Sequence, residues 1–334
     1  MDLRTSYLGL ELAHPIVPSA SPATGTLDAL HRLEAAGASA IVLPSLFEEQ
    51  IKHEEAEIQR LAEFAAESFA EATFGYFPEM TDYNTGPGPY LKLIRDAKAT
   101  LGIPVIASLN GFSAGGWIAY AKKIQDAGAD ALELNIYFVP GDPAEPGTAV
   151  EQQYLELIQQ CRESVEIPIA VKIGPYFSSV ANMVSRIVDA GADGLVLFNR
   201  YMMPDVDLEA LTVTPALQLS DPSELRLPLR WIALLHGKVN ASLALSSGVH
   251  SAQDALKGLL TGADVTMMTS ALLDHGPEYL TTVIDGVAQW LHEHEYVSVE
   301  QAKGSLSEQA APDPEAFSRS SYMQTLISYT GPAV

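Results

Sequence analysis

The sequence feature that most constrains the fold is a phrase repeated along the chain. Gly128-Ala129-Asp130 follows an amphipathic helical stretch and leads into the apolar run Ala131–Leu134, which ends in Asn135. Ala-Ala-Gly-Ala-Ser-Ala-Ile-Val-Leu at 35–43, Asp-Ala-Gly-Ala-Asp-Gly-Leu-Val-Leu-Phe-Asn at 189–199 and Leu-Thr-Gly-Ala-Asp-Val-Thr-Met-Met at 260–268 repeat it. In each, Gly ends a helix where φ > 0 is needed, and the chain turns at once into an apolar segment. Further runs at 15–19, 103–109, 167–173 and 241–245 bring the total to about eight short strands separated by helical patterns. Strands without strict alternation are covered on both faces, which means a parallel sheet with helical crossovers. About eight βα units in a chain of 334 residues predict an α/β fold, a (β/α)₈ barrel. An open doubly wound sheet is the alternative.

The barrel is expected over 1–305, with residues 1–15 as a hairpin turning at Gly9 and plugging its floor. Pro44-Ser45-Leu46-Phe47 follows the second barrel strand and precedes an acidic helical insertion at about 48–82. Ile51, Ile58, Leu61, Phe64 and Phe69 lie near helical spacing there. The insertion suits a lid, a dimerisation arm, a docking site for an electron-transfer partner or a plain surface helix. A C-terminal extension, 306–334, carries Phe317, Tyr322, Met323 and Leu326 and is expected to pack on the barrel.

Charge and cysteine usage exclude some classes. With 42 acidic against 19 basic residues the net charge is −23, which argues against a nucleic-acid or anionic-membrane partner. The single cysteine, Cys161, sits on a helical pattern and is expected in the core. It makes no internal disulfide or metal cluster, so a reducing compartment is the default. No leader and no apolar run near ~20 residues is legible. The expectation is a soluble, cytoplasmic protein with a small-molecule substrate and no metal.

Barrel chemistry sits at the carboxyl ends of the strands. There the first strand delivers Ser19 and Ala20, small enough to admit a flat ligand. The third ends in Asn110, the fourth in Asn135 and the sixth in Asn199, while the fifth carries Lys172. Asparagine favours turns over strand interiors, so this set marks a polar ligand. The seventh and eighth strands lead into Ser246-Ser247-Gly248-Val249-His250 and Thr269-Ser270. Loops in those places form the usual phosphate site of such barrels. A phosphate at one side with a lysine and asparagines across the mouth suits FMN, and also a sugar phosphate.

Five stretches carry a resemblance. They are Tyr-Leu-Gly-Leu-Glu-Leu-Ala-His-Pro-Ile at 7–16, Glu-Leu-Asn-Ile at 133–136, Ala-Val-Lys-Ile at 170–173, Ser-Gly-Val-His-Ser-Ala-Gln-Asp-Ala at 247–255 and Thr-Ser-Ala-Leu at 269–272. From about residue 5 to residue 305 the chain resembles the dihydroorotate dehydrogenase family, FMN-containing (β/α)₈ barrels. The likeness implies that Lys172 reaches the flavin and that Gly248, Thr269 and Ser270, with Ser247 beside them, hold its phosphate. Ser19, Ala20, Asn110 and Asn135 complete the cofactor set. Asn199, Asn135 and Asn84, whose Asn-x-x-Gly loop has Gly86 one residue early, match substrate asparagines. The soluble, class 1 branch implies a homodimer and a role in pyrimidine biosynthesis.

Two departures stand out. The family's strand-four loop reads Asn-x-Ser-Cys-Pro or Asn-x-Ser-Ser-Pro, whose Cys or Ser is the base. Here Asn135-Ile136-Tyr137-Phe138-Val139-Pro140 puts phenylalanine at that position. Tyr137 is the candidate replacement if a cation such as Lys172 lowers its pKa; the other reading makes Tyr137 and Phe138 an aromatic pair lining the flavin pocket. The family lysine after strand two is Pro44 here. The implied reaction is hydride transfer between flavin N5 and dihydroorotate or a related substrate. The alternative is a flavin-binding electron-transfer or regulatory subunit without dihydroorotate activity.

Overall fold

The computed structural model describes residues 1–53, 87–113, 118–201, 203–215, 217–317 and 321–328. Eight strands form the parallel sheet: β3 (Ile16–Pro18), β4 (Ile41–Phe47), β5 (Val105–Gly111), β6 (Ala131–Ile136), β7 (Ile169–Ile173), β8 (Gly194–Leu197), β11 (Ser242–Leu245) and β12 (Val265–Met268). Their order is β3-β12-β11-β8-β7-β6-β5-β4, and helices cover the outside, so the chain is a nearly closed (β/α)₈ barrel as expected. β3 and β4 close the circle side by side, and the Ser39 hydroxyl donates to the Ile16 carbonyl at 3.2 Å.

The repeated Gly-Ala-Asp phrase is the device that sets this register. Gly37, Gly128, Gly191 and Gly262 have φ of 98°, 101°, 112° and 117°, the left-handed turn out of each helix. The aspartate two residues on then brackets the start of the neighbouring strand. Asp130 N–H donates to the Val105 carbonyl at 3.0 Å, and its carboxylate accepts from Val105 N–H at 2.7 Å. Asp193 does the same with Ile169, at 2.8 and 2.8 Å, and Asp264 with Leu243, at 2.8 and 2.7 Å. Each carboxylate also holds a cation from outside the barrel: Lys98, Arg162 and Lys303. In the first repeat Ser39 takes the aspartate's place.

Two cores result from the pleat. Outward residues pack against the helices, among them Ile41, Leu132, Ile169 and Leu195. Inward ones (Val17, Val42, Ile106, Ala131, Ala170, Val196, Ala244, Val265, Met267) fill the barrel. The floor is closed by the antiparallel hairpin of β1 (Thr5–Tyr7) and β2 (Leu10–Leu12), which contributes Tyr7, Leu8 and Leu12 to that inner core. Its two-residue turn has Leu8 at φ 55° and Gly9 at φ 74°, which agrees with the expected turn. The tip fits because β8 opens with Gly194, where a Cβ would stand 2.6 Å from Leu8 Cδ2.

A second hairpin, β9 (Pro204–Asp207) with β10 (Thr212–Pro215), rises after β8 and exposes Val206, Leu208, Leu211 and Val213. The expected insertion begins as a helix at 48–53; its remainder to about 82, and Asn84, lie outside the described residues. The docking expected of the C-terminal extension falls on other residues than those named from sequence. Leu306 N–H donates to the Leu260 carbonyl at 2.7 Å, Glu308 N–H to the Ala233 carbonyl at 3.0 Å, and Ser307 is buried. Tyr322, Met323 and Leu326 are exposed, because the helix Ser321–Ile327 has no apolar surface covering that face among the described residues. Cys161 is buried in the helical shell as expected, and burial pushes its thiol up to about 12.

The Asp193→Ala variant strips a charged hydrogen bond from Ile169 N–H and removes the ionic partner of Arg162, which keeps only the Val165 and Ile167 carbonyls. We expect a loss of about 1.5–3 kcal/mol and a melting temperature lower by several degrees, measured by thermal unfolding. An unchanged melting temperature would deny the bracket its role.

Candidate functional site

Pairing along the sheet fixes which side chains share a layer. Phe47 faces Asn110, Asn110 faces Asn135, and Asn135 faces Lys172 across successive strands. With a side-chain period of two, the layer beneath runs Ser45, Ser108, Glu133 and Ala170. The upper layer is therefore polar and the lower one carries a single acid, both inside the barrel at its carboxyl end.

Above them opens a cavity of about 490 Å³, within the usual range for a small-molecule or cofactor site. Its wall includes Ser19, Ala20, Asn110, Asn135, Tyr137, Lys172, Asn199, Ser247, Gly248, Thr269 and Ser270. The sequence-derived candidates thus converge on one cleft, apart from Asn84, which lies outside the described residues. Among the described residues the lining holds two cations, Lys172 and Arg200, and no carboxylate, in a chain whose net charge is −23.

Lys172 is the least ordinary group in the cleft. Its side chain is 8% exposed, and its nearest ionic partner is Glu133 Oε1 at 3.8 Å, beyond hydrogen-bond distance. Among the described residues the ammonium donates no hydrogen bond. The residue lines the cleft, which leaves its ammonium donors open to it. Nearby, Asn199 Nδ2 donates to Asn135 Oδ1 at 2.7 Å, which orients both amides over the strand ends.

Across the mouth, Ser247 and Gly248 both take positive φ, 79° and 74°, and a Cβ on Gly248 would stand 2.4 Å from Leu225 N. Only glycine lets the main chain turn there, so the loop presents its backbone to the cleft. Thr269 and Ser270 add hydroxyls from the end of β12.

Sequence reasoning missed one wall. Leu217, Gln218, Leu219 and Ser220, after β10, line the cleft. Arg200 braces them, donating to the Gln218 carbonyl and, at 2.8 Å, to Glu224 Oε2. Ser220 Oγ lies 2.8 Å from Ser270 Oγ and 3.1 Å from His250 Nε2, which fastens the strap beside the Ser247–Gly248 loop. No motif marks these residues; Arg200, directly after the Asn199 strand end, was the available signal.

The base loop divides at its centre. Tyr137 lines the cleft and packs on Tyr201, ring centroids 4.4 Å apart, which in turn meets Tyr176 at 5.1 Å. Phe138 turns away. It stacks on Phe112 at 5.7 Å and lines a separate, smaller cavity with Gln153, Glu156 and Leu157. Burial pushes the Tyr201 hydroxyl above its usual range, and a hydrogen bond from Tyr154 offsets that only in part.

At the rim, buried Glu48 ties the start of the insertion to the loop after β5. It accepts from Phe112 N–H at 3.0 Å and Ser113 N–H at 3.2 Å, and also from the Ser113 hydroxyl, with Lys52 as ionic partner. Burial pushes this carboxyl up, but the donors from Lys52, Ser113 and Phe112 outweigh it and leave it below its ordinary value.

A family model described as dihydroorotate dehydrogenase matches residues 2–291. The chain belongs to the dihydroorotate dehydrogenase family. Among similar proteins are three named "Dihydroorotate dehydrogenase B (NAD(+)), catalytic subunit". The one from Methanothermobacter thermautotrophicus is 23% identical over 90% of this chain and 97% of its own length. Those from Pyrococcus abyssi (25%; 90% and 98%) and Methanocaldococcus jannaschii (24%; 92% and 98%) match along a similar extent. Among the described residues no helix is long and apolar enough to cross a membrane.

Glu48 gives the rim a pH signature. A carboxyl whose folded pKa is depressed stabilises above its unfolded value, roughly 4.3, and that contribution disappears as pH falls through the folded value. The Glu48→Gln variant is therefore expected to melt lower than the parent at pH 7 and to converge with it as pH falls below the depressed folded value. A gap that persists at low pH would contradict the assignment.

Proposed function

We propose that this chain is an FMN-dependent oxidoreductase acting on a CH–CH bond, with dihydroorotate or a related cyclic compound as substrate. The observation that carries the reading is the buried Lys172 ammonium, without a hydrogen-bond acceptor among the described residues, facing a cleft with a glycine-turned loop opposite. Family membership agrees with it, since relatives bear names of that activity.

The residues present fit the cofactor. The backbone of Ser247 and Gly248, with the hydroxyls of Thr269 and Ser270, would hold the phosphate by hydrogen bonds to a dianion. Ser19 and Ala20, being small, leave room for a flat ring, and Asn110, Asn135 and Lys172 would meet its polar edge. When bound, FMN supplies a two-electron, hydride-accepting centre. The chain's part is binding, orientation and proton handling. Asn135 and Asn199, locked together, would orient the substrate's carbonyl and N–H groups, joined by Asn84 in the family's pattern. The strap at 217–220 shields the cleft from water.

Removing a carbon-bound proton beside the bond being oxidised needs a base. Phe138 has no atom for that task and lies outside the cleft. Tyr137 is the one side chain of the Tyr137–Pro140 stretch that lines the cleft, so we assign the proton to its hydroxyl. The same geometry favours the second reading, a flavin-binding electron-transfer or regulatory subunit, if Tyr137 proves inert. A homodimer, an electron-transfer partner protein, a cytoplasmic setting and a place in pyrimidine biosynthesis belong to this proposal, by analogy with relatives named as catalytic subunits.

Anaerobic mixing of the FMN-loaded protein with dihydroorotate tests it. Bleaching of the flavin's visible band supports the dehydrogenase; an oxidised spectrum that never changes favours the carrier. If bleaching occurs, Tyr137→Phe should slow it by about 10²–10⁴-fold without releasing FMN, and an equal rate would remove Tyr137 from the chemistry.

A further inference from the structure

Glu133 is a carboxylate in a place where carboxylates are costly. It is fully buried, one layer below Lys172 on the adjacent strand, and neither carboxylate oxygen has a hydrogen-bond partner among the described residues. Unpaired buried charge is disfavoured by desolvation, and an apolar residue of similar size is often as stable or more so. Stability alone therefore gives no reason for an acid here.

Its surroundings narrow the role. Lys172 Nζ at 3.8 Å is the cation paired with it. Ser108, its cross-strand neighbour on β5, turns its own hydroxyl to Ser45 at 2.8 Å. From the floor, Tyr7 is buried with an unpaired hydroxyl, and burial first, then the charges of Glu133 and Asp264, raise its pKa well above the ordinary value. Tyr7 thus stays protonated and adds no charge. Glu133 and Lys172 form an isolated pair, held electrostatically and not hydrogen-bonded. The ammonium is fixed at the floor of the cleft while its three donors remain available to a ligand above.

We propose that Glu133 is a positioning residue that anchors Lys172 beneath the ligand and offsets part of its charge, so that the pair, and not the lysine alone, sets the redox poise of bound FMN. This rests on the FMN reading given above. Two-electron reduction of a flavin places negative charge on the ring near its N1 edge, and a nearby cation favours the reduced form. A carboxylate 3.8 Å behind that cation weakens the preference. Glu133 acts through Lys172 and touches no substrate.

The test is a potentiometric titration of the FMN-loaded protein with redox mediators, combined with calorimetric titration of FMN into the apoprotein. In Glu133→Gln the lysine charge is no longer offset. The reduced-over-oxidised affinity ratio should rise about tenfold, a midpoint shift of about +30 mV for a two-electron couple. Lys172→Met should move the midpoint down. In the Lys172→Met background, Glu133→Gln should add no upward shift, since the effect runs through the lysine. Glu133→Asp keeps the charge and should return the midpoint toward the parent value, which also covers the case in which the glutamine variant folds poorly.

A purely structural role would lower the melting temperature and leave the midpoint where it was; that result overturns the proposal, as does an upward shift that persists without Lys172. Wild-type protein that binds no FMN in the calorimeter would overturn the cofactor reading itself. Bound FMN with an unmoved midpoint overturns only the part given to Glu133.

Discussion

The aspartate brackets at Asp130, Asp193 and Asp264 are the constraint from which the rest follows. Each sits just before one strand and grips a residue at the start of the neighbouring strand (Val105, Ile169 or Leu243) with a pair of hydrogen bonds, and an external cation secures the carboxylate. In a sheet whose side chains alternate, a slip of one residue would turn every inward group outward. Registering the strands at their amino ends therefore decides what meets at their carboxyl ends. Asn110, Asn135 and Lys172 share a layer because Ile106 lies opposite Ala131, and Leu132 opposite Ile169, several residues earlier.

That arrangement also explains how an acidic chain keeps a cleft suited to an electron-rich ligand. Among the described residues the acids lie at the surface or in the brackets apart from the buried Glu48, Glu133 and Asp254, and the cleft lining holds Lys172 and Arg200 and no carboxylate. Arg200 is engaged by Glu224 and the 217–219 strap, so it works as a wall. Lys172 is the cation whose donors remain uncommitted among the described residues. On the side proposed for the phosphate, main chain and hydroxyls would serve in place of further charge, a neutral way to hold an anion.

Much of this was legible in the residues. The Gly-Ala-Asp phrase predicted strand count and parallel topology because its chemistry is local: a left-handed turn, then a capped strand start. Strand-end asparagines and Lys172 were readable for the same reason, as polar groups in apolar runs. The strap at 217–220 was not, because its contacts to Arg200, His250 and Ser270 span the cleft and leave no spacing pattern. The outward turn of Phe138 was hidden too. Sequence places it at the base position, but its partner Phe112 lies on another loop. In the tail, the apolar residues at 322–326 suggested docking, whereas backbone bonds at 304–308 provide it, and backbone bonds have no side-chain signature.

The central claim is that one cleft grips a flat ring at Lys172 and a phosphate at the 247–248 and 269–270 loops. Calorimetric titration of the apoprotein with FMN and with riboflavin, which lacks only the phosphate, tests it most directly. The account predicts one FMN per chain and riboflavin weaker by at least about 100-fold, the loss of two charge-assisted hydrogen bonds. Equal affinities, or no binding of either, would contradict it.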